Sequence, residues 1–192
     1  FVTGIHVSTS KNLKIGDWIG IPKYNIEGNI QDINLLTTKI VNFDKTISTI
    51  PTYDLLSTEI RNHQVMYEGS SRRIKRSIYF NIKSFKFVDD EFYEKVKDIN
   101  LISEYLDRKL REIAESKKNI PHAERIINGQ QLTNIGLFRN YVLNYLKNNP
   151  KVDQDEIVLV RQLEISPQGM PLEIYCFANK AELVDYERIQ AD

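Results

Sequence analysis

Few side chains in this sequence have the type and spacing to do chemistry. His6, His63 and His122 lie far apart, and none stands with a Cys, Asp or Glu at metal-ligand spacing. They read as ordinary surface or turn histidines, and neither metal nor cofactor is expected. Cys176, the only cysteine, could pair with a distant His as nucleophile and base, but it sits between Tyr175 and Phe177 in a strand pattern and reads as a small buried hydrophobe. No GxxxxGK, no GxGxxG after a strand and no GxSxG is present, so no catalytic residue is assigned and an enzyme is not expected. A last cluster, Arg72, Arg73, Lys75 and Arg76 leading into Tyr79 and Phe80, combines cations with aromatics as single-strand nucleic-acid binders do. On an alternating strand those two rings face opposite ways. The run therefore reads as a solvated face or an anchor for an acidic neighbour, with no nucleic-acid partner.

Composition narrows the classes further. The 192 residues are 41% apolar and 27% charged, enough to bury a core in one large or two small domains. Twenty-six basic residues cancel twenty-six acidic ones, which removes the overall electrostatic case for a nucleic-acid binder. A single cysteine excludes an intrachain disulfide framework and suits a reducing compartment. The longest run without Asp, Glu, Lys or Arg, residues 126–138, is too short for a membrane span of roughly 20 apolar residues. The start at Phe1, without a cap or signal segment, reads as the interior of a longer protein, and so does a terminal helical stripe that stops without Gly or Pro.

The elements that must position these residues follow from periodicity. Residues 14–62 are rich in Ile, Val and Thr and broken by Gly16, Gly20, Gly28 and the turn at Asp44, the pattern of a small β-barrel or sandwich. Strands are expected at 18–21, 28–36, 38–43 and 46–50, ended by Pro51. Gly28 is expected to need either positive φ or close backbone approach. After a joint at residues 69–71, one long strand is expected over 74–88, then one six-turn helix from Phe92 to Ile113 started by Asp89, Asp90 and Glu91. A second helix runs from Ile135 to Leu146. An interior strand over 156–165, a turn at 166–169, a strand around Cys176 and a helix opened by an Asn179/Glu182 capping box complete the chain. The order is that of a split β-α-β unit.

From Gly4 to Asn62 the residues carry a resemblance. Gly16-Asp17, Gly28-Asn-Ile30, Leu35-Leu-Thr-Thr38-Lys-Ile40, Asp44, Ile50-Pro51 and Ile60-Arg-Asn62 follow in the order and spacing of the small-conductance mechanosensitive channel (MscS) family. Thr52 departs from the family's usual Asn. Gly4 matches a pore-helix glycine and Lys11 a basic residue where that helix meets the β-domain. The runs at 132–136, 160–163 and 171–175 are similar to the YbdG-like miniconductance branch.

The resemblance implies an α+β chain: a pore-helix remnant over 1–13, a small Sm-like β-barrel domain over 14–68, and a ferredoxin-like (split β-α-β) domain over 72–192 with a helical insertion at about 100–150. It implies the cytosolic vestibule of a tension-gated channel in the bacterial inner membrane, protecting against hypoosmotic shock. The implied partners are further copies of the chain in a heptameric ring, a bilayer reached through N-terminal helices outside this sequence, and permeating ions and small solutes. Gly4, Lys11, Gly16 and Asp17 are the implied coupling residues, and Gly28, Thr38, Asp44, Pro51 and Asn62 carry the β-domain motif. The alternative reading is a soluble Sm-like RNA-binding or assembly protein.

Overall fold

A computed structural model describes residues 13–125 and 127–192 and divides the chain into two compact units, Phe1–Ser70 and Ser71–Asp192. Gly4, Lys11 and His6 lie outside the described residues.

The described residues of the first unit form a five-stranded antiparallel sheet. Its strands are β1 (Trp18–Ile21), β2 (Ile26–Ile33), β3 (Thr37–Asn42), β4 (Ile47–Pro51) and β5 (Arg61–Asn62), in the order β4-β3-β2-β1-β5. A short helix α1 (Asp54–Ser57) follows β4, and α2 (Gln64–Glu68) follows β5. Alternation along β2 and β3 turns Ile30 and Ile40 inward, where they meet Leu13, Ile19, Ile21, Ile50 and Leu55 in one core. The expected strand over 28–36 instead ends at Ile33. The Asn34 side chain takes the amides of Leu36 and Thr37, at 3.0 and 2.8 Å, and closes the turn. Pro51 ends edge strand β4, where no ladder donor is lost.

The second unit holds a three-stranded sheet of β6 (Arg72–Phe80), β7 (Leu159–Gln162) and β8 (Met170–Ala178), in the order β6-β8-β7. Both outer strands run antiparallel to β8, so β6 and β7 are parallel with β8 between them. The described residues give this sheet three strands. Among the described residues four helices accompany it: α3 (Asp90–Val96), α4 (Asn100–Lys117), α5 (Asn134–Asn148) and α6 (Leu183–Ala191). One core joins sheet and helices through Ile74, Val142, Leu146, Val160, Leu172, Cys176 and Tyr186. A second, of Ile102, Leu106, Ile113, Leu132 and Leu137, holds α4 on α5.

Four sequence expectations change here. The strand over 74–88 stops at Phe80, because Asn81 caps a 3-10 turn by accepting the Lys83 amide at 2.9 Å. Phe87 lies beyond that turn, bridged to Thr133. The six-turn helix is two helices, broken at residues 97–99, where Ile99 is extended (ψ 106). The apolar spacing runs through the break, and neither Gly nor Pro marks it. Of its stripe, Ile102, Leu106 and Ile113 are buried, whereas Phe92 and Val96 are half-buried. The strand over 156–165 is the short edge strand β7, whose apolar run leaves Ile157 and Leu159 exposed; β8 is the interior strand. The capping box shifts by three residues: Glu182 itself caps α6 through the Asp185 amide at 3.0 Å, while Asn179 donates to the Pro150 carbonyl.

Candidate functional site

The sequence-matched residues that are described fall into four places in the first unit. Gly16 takes φ +97 in the turn before β1, a conformation that L side chains rarely adopt. Its amide donates to the Ile30 carbonyl at 2.8 Å and the Ile30 amide donates back to Asp17, extending the β1–β2 pairing past Trp18. Asp17, 8% exposed, accepts the Lys14 amide at 3.0 Å and the Asn62 side-chain amide at 3.3 Å on one carboxylate oxygen. Asn62 in turn accepts the Gln64 amide at 2.9 Å. One buried carboxylate thus ties the segment entering β1 to the segment leaving β5, 45 residues apart. Burying a carboxylate is costly unless such donors surround it, so its loss would release both ends of the unit together.

Gly28 lies where β2 crosses β3. A Cβ there would stand 2.1 Å from the Val41 carbonyl oxygen and 2.8 Å from the Asn42 Cα. Of the two expected reasons for glycine, close approach is the one that applies. A register shift between Ile30 and Asp32 adds a bulge to the same strand.

Thr38 and Thr52, both fully buried, face each other with hydroxyl oxygens 3.0 Å apart. Thr52 donates to the Asn34 carbonyl at 2.8 Å, and a hydroxyl has one proton, so Thr38 must be the donor to Thr52. The residue that departs from the family pattern is therefore the centre of a buried chain of hydrogen bonds joining β3 to the loops beside it. Pro51, the neighbour of Thr52, pairs with Thr37.

Asp44 shapes the β3–β4 turn by accepting both the amide and the hydroxyl of Thr46, at 2.9 and 2.6 Å. Those bonds hold its carboxyl below the usual carboxylate range.

The structure brings Gly16, Asp17 and Asn62 together, sets Thr38 beside Pro51 and Thr52, and places Gly28 and Asp44 separately along the β2–β3–β4 meander. What this arrangement can do is mechanical: it fixes strand register and fastens the two ends of the β unit.

In the second unit the basic run lies on β6. Arg72 stacks over the Tyr186 ring at 4.4 Å, Arg73 lies 5.9 Å from the Tyr175 ring, and Lys75 reaches Glu173 at 3.7 Å. Phe80 packs edge-on against Phe138 at 5.4 Å, while Tyr79 is exposed, so the two rings do face opposite ways. Glu173, 3% exposed on β8, is also held by Arg161 at 2.8 and 2.7 Å. Cys176 is fully buried, and burial pushes its thiol up to about 11. Among the described residues no three His, Cys, Asp or Glu converge as a metal-ligand group, and no helix is long and apolar enough to cross a membrane.

Sequence reasoning missed two features. The Thr38–Thr52 pair has no signal in a 14-residue separation. The second is an aromatic stack in which the Trp18 ring lies 4.9 Å from His63 and 5.4 Å from Phe43. Its His63 contact follows from the pairing of β1 with β5, and Phe43, just past β3, reaches Trp18 through the β1–β2–β3 order.

Residues 1–65 match the family model described as the β-domain of mechanosensitive ion channels. Over all 192 residues the chain is 24% identical to the low conductance mechanosensitive channel YnaI of Escherichia coli K12, of which it covers 41%. It is 34% identical over 62 residues, 32% of the chain, to the small-conductance mechanosensitive channel MscMJ of Methanocaldococcus jannaschii, covering 17% of that protein. Among solved structures, Arabidopsis thaliana MSL1 superposes with a TM-score of 0.58 at 17% identity, covering 99% of this chain and 50% of that one. Helicobacter pylori MscS in its closed state gives 0.52 at 14% identity, covering 99% and 56%. The structural likenesses show a shared fold. The chain spans less than half the length of the curated relatives it matches.

Proposed function

We propose that this chain is the cytosolic vestibule part of a membrane-tension-gated channel of the MscS family, in its YbdG-like miniconductance branch. The observation that carries the reading is the β-domain match over residues 1–65, whose motif residues are those that fasten and register the β unit. In this reading residues 1–13 continue a pore-lining helix, with Gly4 and Lys11 at its cytoplasmic end. Residues 14–68 are an Sm-like β-domain and residues 72–192 a ferredoxin-like domain with inserted helices. The complete protein is a heptameric ring in the bacterial inner membrane, it passes ions and small solutes, and it protects against hypoosmotic shock. No step of this function is catalytic, and nucleic acid has no part in it.

The physical role follows from what tension can do. Tension favours the state of larger bilayer area, and only a difference in free energy between closed and open states shifts the equilibrium. Helices in the bilayer respond to tension, so this part transmits and resists. The Asp17–Asn62 tie makes the β unit move as one body with the segment that enters it. A ring around one pore needs head-to-tail contacts that close by rotation. Native mass measurement on the detergent-solubilised full-length protein tests the ring. A heptamer is expected, and a monomer or dimer as the largest species overturns the reading.

A further inference from the structure

A cleft between α3, α4 and α5 in the second unit has no part in fastening or registering strands. Its walls come from both sides of the helix break: Phe92 and Val96 on α3, Ile102 on α4, and Leu137, Phe138 and Tyr141 on α5. Ile99, in the break itself, lines it too and is 37% exposed. The cleft encloses about 260 Å³. Phe138 and Tyr141 lie nearly parallel on one wall, 22° apart with ring centroids at 6.4 Å. Asn134 also borders the cleft, but its amide is spent on the chain: it accepts the Lys86 and Ile135 amides at 3.0 and 2.9 Å and donates to the Ser84 carbonyl at 2.8 Å. Among the described residues no charged side chain lines the cleft.

We propose that this cleft is a binding site for a small uncharged aromatic molecule of one or two rings. Size bounds the occupant from both sides. An apolar cavity of about 150 Å³ stays dry and takes up benzene, whereas clefts for drug-sized ligands begin at about 300 Å³. A second copy of the chain would need about 1,200–2,000 Å² of buried surface, far more than a hollow of this size supplies. Charge sets the class. An ionised group among these aliphatic and aromatic walls would lose its hydration with no opposite charge to replace it. The cations of α3 and its end, Lys95 and Lys97, are already paired with Glu91 and Glu94 at 2.6 and 2.5 Å, and exposed Asp98 stands next to Ile99, where it repels a carboxylate. The rings of Phe92, Phe138 and Tyr141 favour an aromatic occupant, because offset and edge-to-face contacts add to the area buried. Phe92 and Val96 are half-buried, leaving apolar surface for it to cover. Such a molecule touches three helices at once, so its binding stabilises the second unit. This inference stands on the second unit alone and does not require the channel reading.

Fluorobenzene and 4-fluorobenzoate are suitable probes, since they share a ring and differ in charge. Titrated into the 192-residue chain, fluorobenzene should shift the amide NMR signals of Val96, Ile102 and Tyr141 saturably and raise the thermal midpoint. 4-Fluorobenzoate should bind at least about tenfold more weakly, because its carboxylate must be desolvated. Ile99→Trp and Val96→Phe place bulk in the cleft at positions that are not fully buried, so the chain should still fold, and each should weaken fluorobenzene about tenfold or more. Val184→Trp, at an exposed position on α6, should leave its affinity unchanged. Shifts that do not saturate, equal affinity for the two probes, or undiminished affinity in a folded Ile99→Trp or Val96→Phe chain would overturn the proposal. So would the same amides shifting with protein concentration alone, which would make a second copy the occupant.

Discussion

Replacing Gly28 with alanine would test whether the β unit depends on close approach of β2 to β3. The added Cβ would lie 2.1 Å from the Val41 carbonyl oxygen and 2.7 Å from its carbon, both backbone atoms that no rotamer change can move aside. Reaching ordinary contact requires the strands to part by roughly 1 Å, which stretches a ladder bond of about 2.9 Å beyond hydrogen-bonding range. Two or three such bonds at about 0.5–1.5 kcal/mol each give a cost of about 1–4.5 kcal/mol. The loosened contact of Ile30 with Ile40, which face each other in the core, adds to it. Against a domain stability of about 5–15 kcal/mol, that is a large fraction. Urea unfolding followed by Trp18 fluorescence reports this unit alone, since β1 pairs with β2 at Gly28 and carries the single indole. The midpoint should fall by roughly 1–2 M. Gly28→Val should be worse, because branching at Cβ adds atoms to the same clash. A loss below about 0.5 kcal/mol, the level of an ordinary surface substitution, would refute the reasoning.

Thr52→Val leaves the Thr38 hydroxyl and the Asn34 carbonyl without their buried partner and should cost about 1–3 kcal/mol by urea unfolding; adding Thr38→Val should cost little more. Arg161→Met leaves the buried Glu173 carboxylate with only the longer Lys75 contact and should destabilise the second unit by about 1–3 kcal/mol, whereas the double variant with Glu173→Met should recover most of that in thermal unfolding. The Cys176 thiol is raised when folded, to about 11 from 9.0, so the unfolded chain loses its proton first and stability should fall as pH rises from 9 toward 11. That fall should be up to about 2–3 kcal/mol steeper in wild type than in Cys176→Ala, and thiol reagents should label the native chain far more slowly than the urea-unfolded one. Asp44 is lowered when folded, so its contribution is complete above the unfolded carboxyl value and is lost as pH falls toward the folded one. Carboxyl NMR should show Asp44 moving up toward the ordinary range in Thr46→Val.

Ile-, Val- and Thr-rich runs broken by Gly and the Asp44 turn made β1, β3 and β4 legible to within a residue, because Ile19, Ile40 and Ile50 from these strands enter one core. Asp89 announced the start of α3, since its carboxylate takes the Phe92 amide. Breaks set by single polar side chains were not legible. Asn81 ends β6 by capping a turn inside an apolar run, and the break at residues 97–99 preserves the spacing of the stripe on either side. β7 read as interior because Ile157 and Leu159 are apolar, yet Leu159 lies exposed on an edge strand and Ile157 is exposed before the strand begins. At the candidate site the motif order located Gly16, Asp17 and Asn62, but only the β1–β5 pairing shows that they meet. Thr52 departs from the usual Asn of the resemblance, and only the structure shows that its hydroxyl links Thr38 to Asn34 within the core.

This sequence is proposed to be part of a channel opened by tension. Patch recording from liposomes reconstituted with the full-length protein carrying it tests that claim most directly. Stepwise openings that appear only under suction and close when tension is released are expected. Membranes that stay silent up to their lytic tension, with the protein present as intact oligomers, would contradict it.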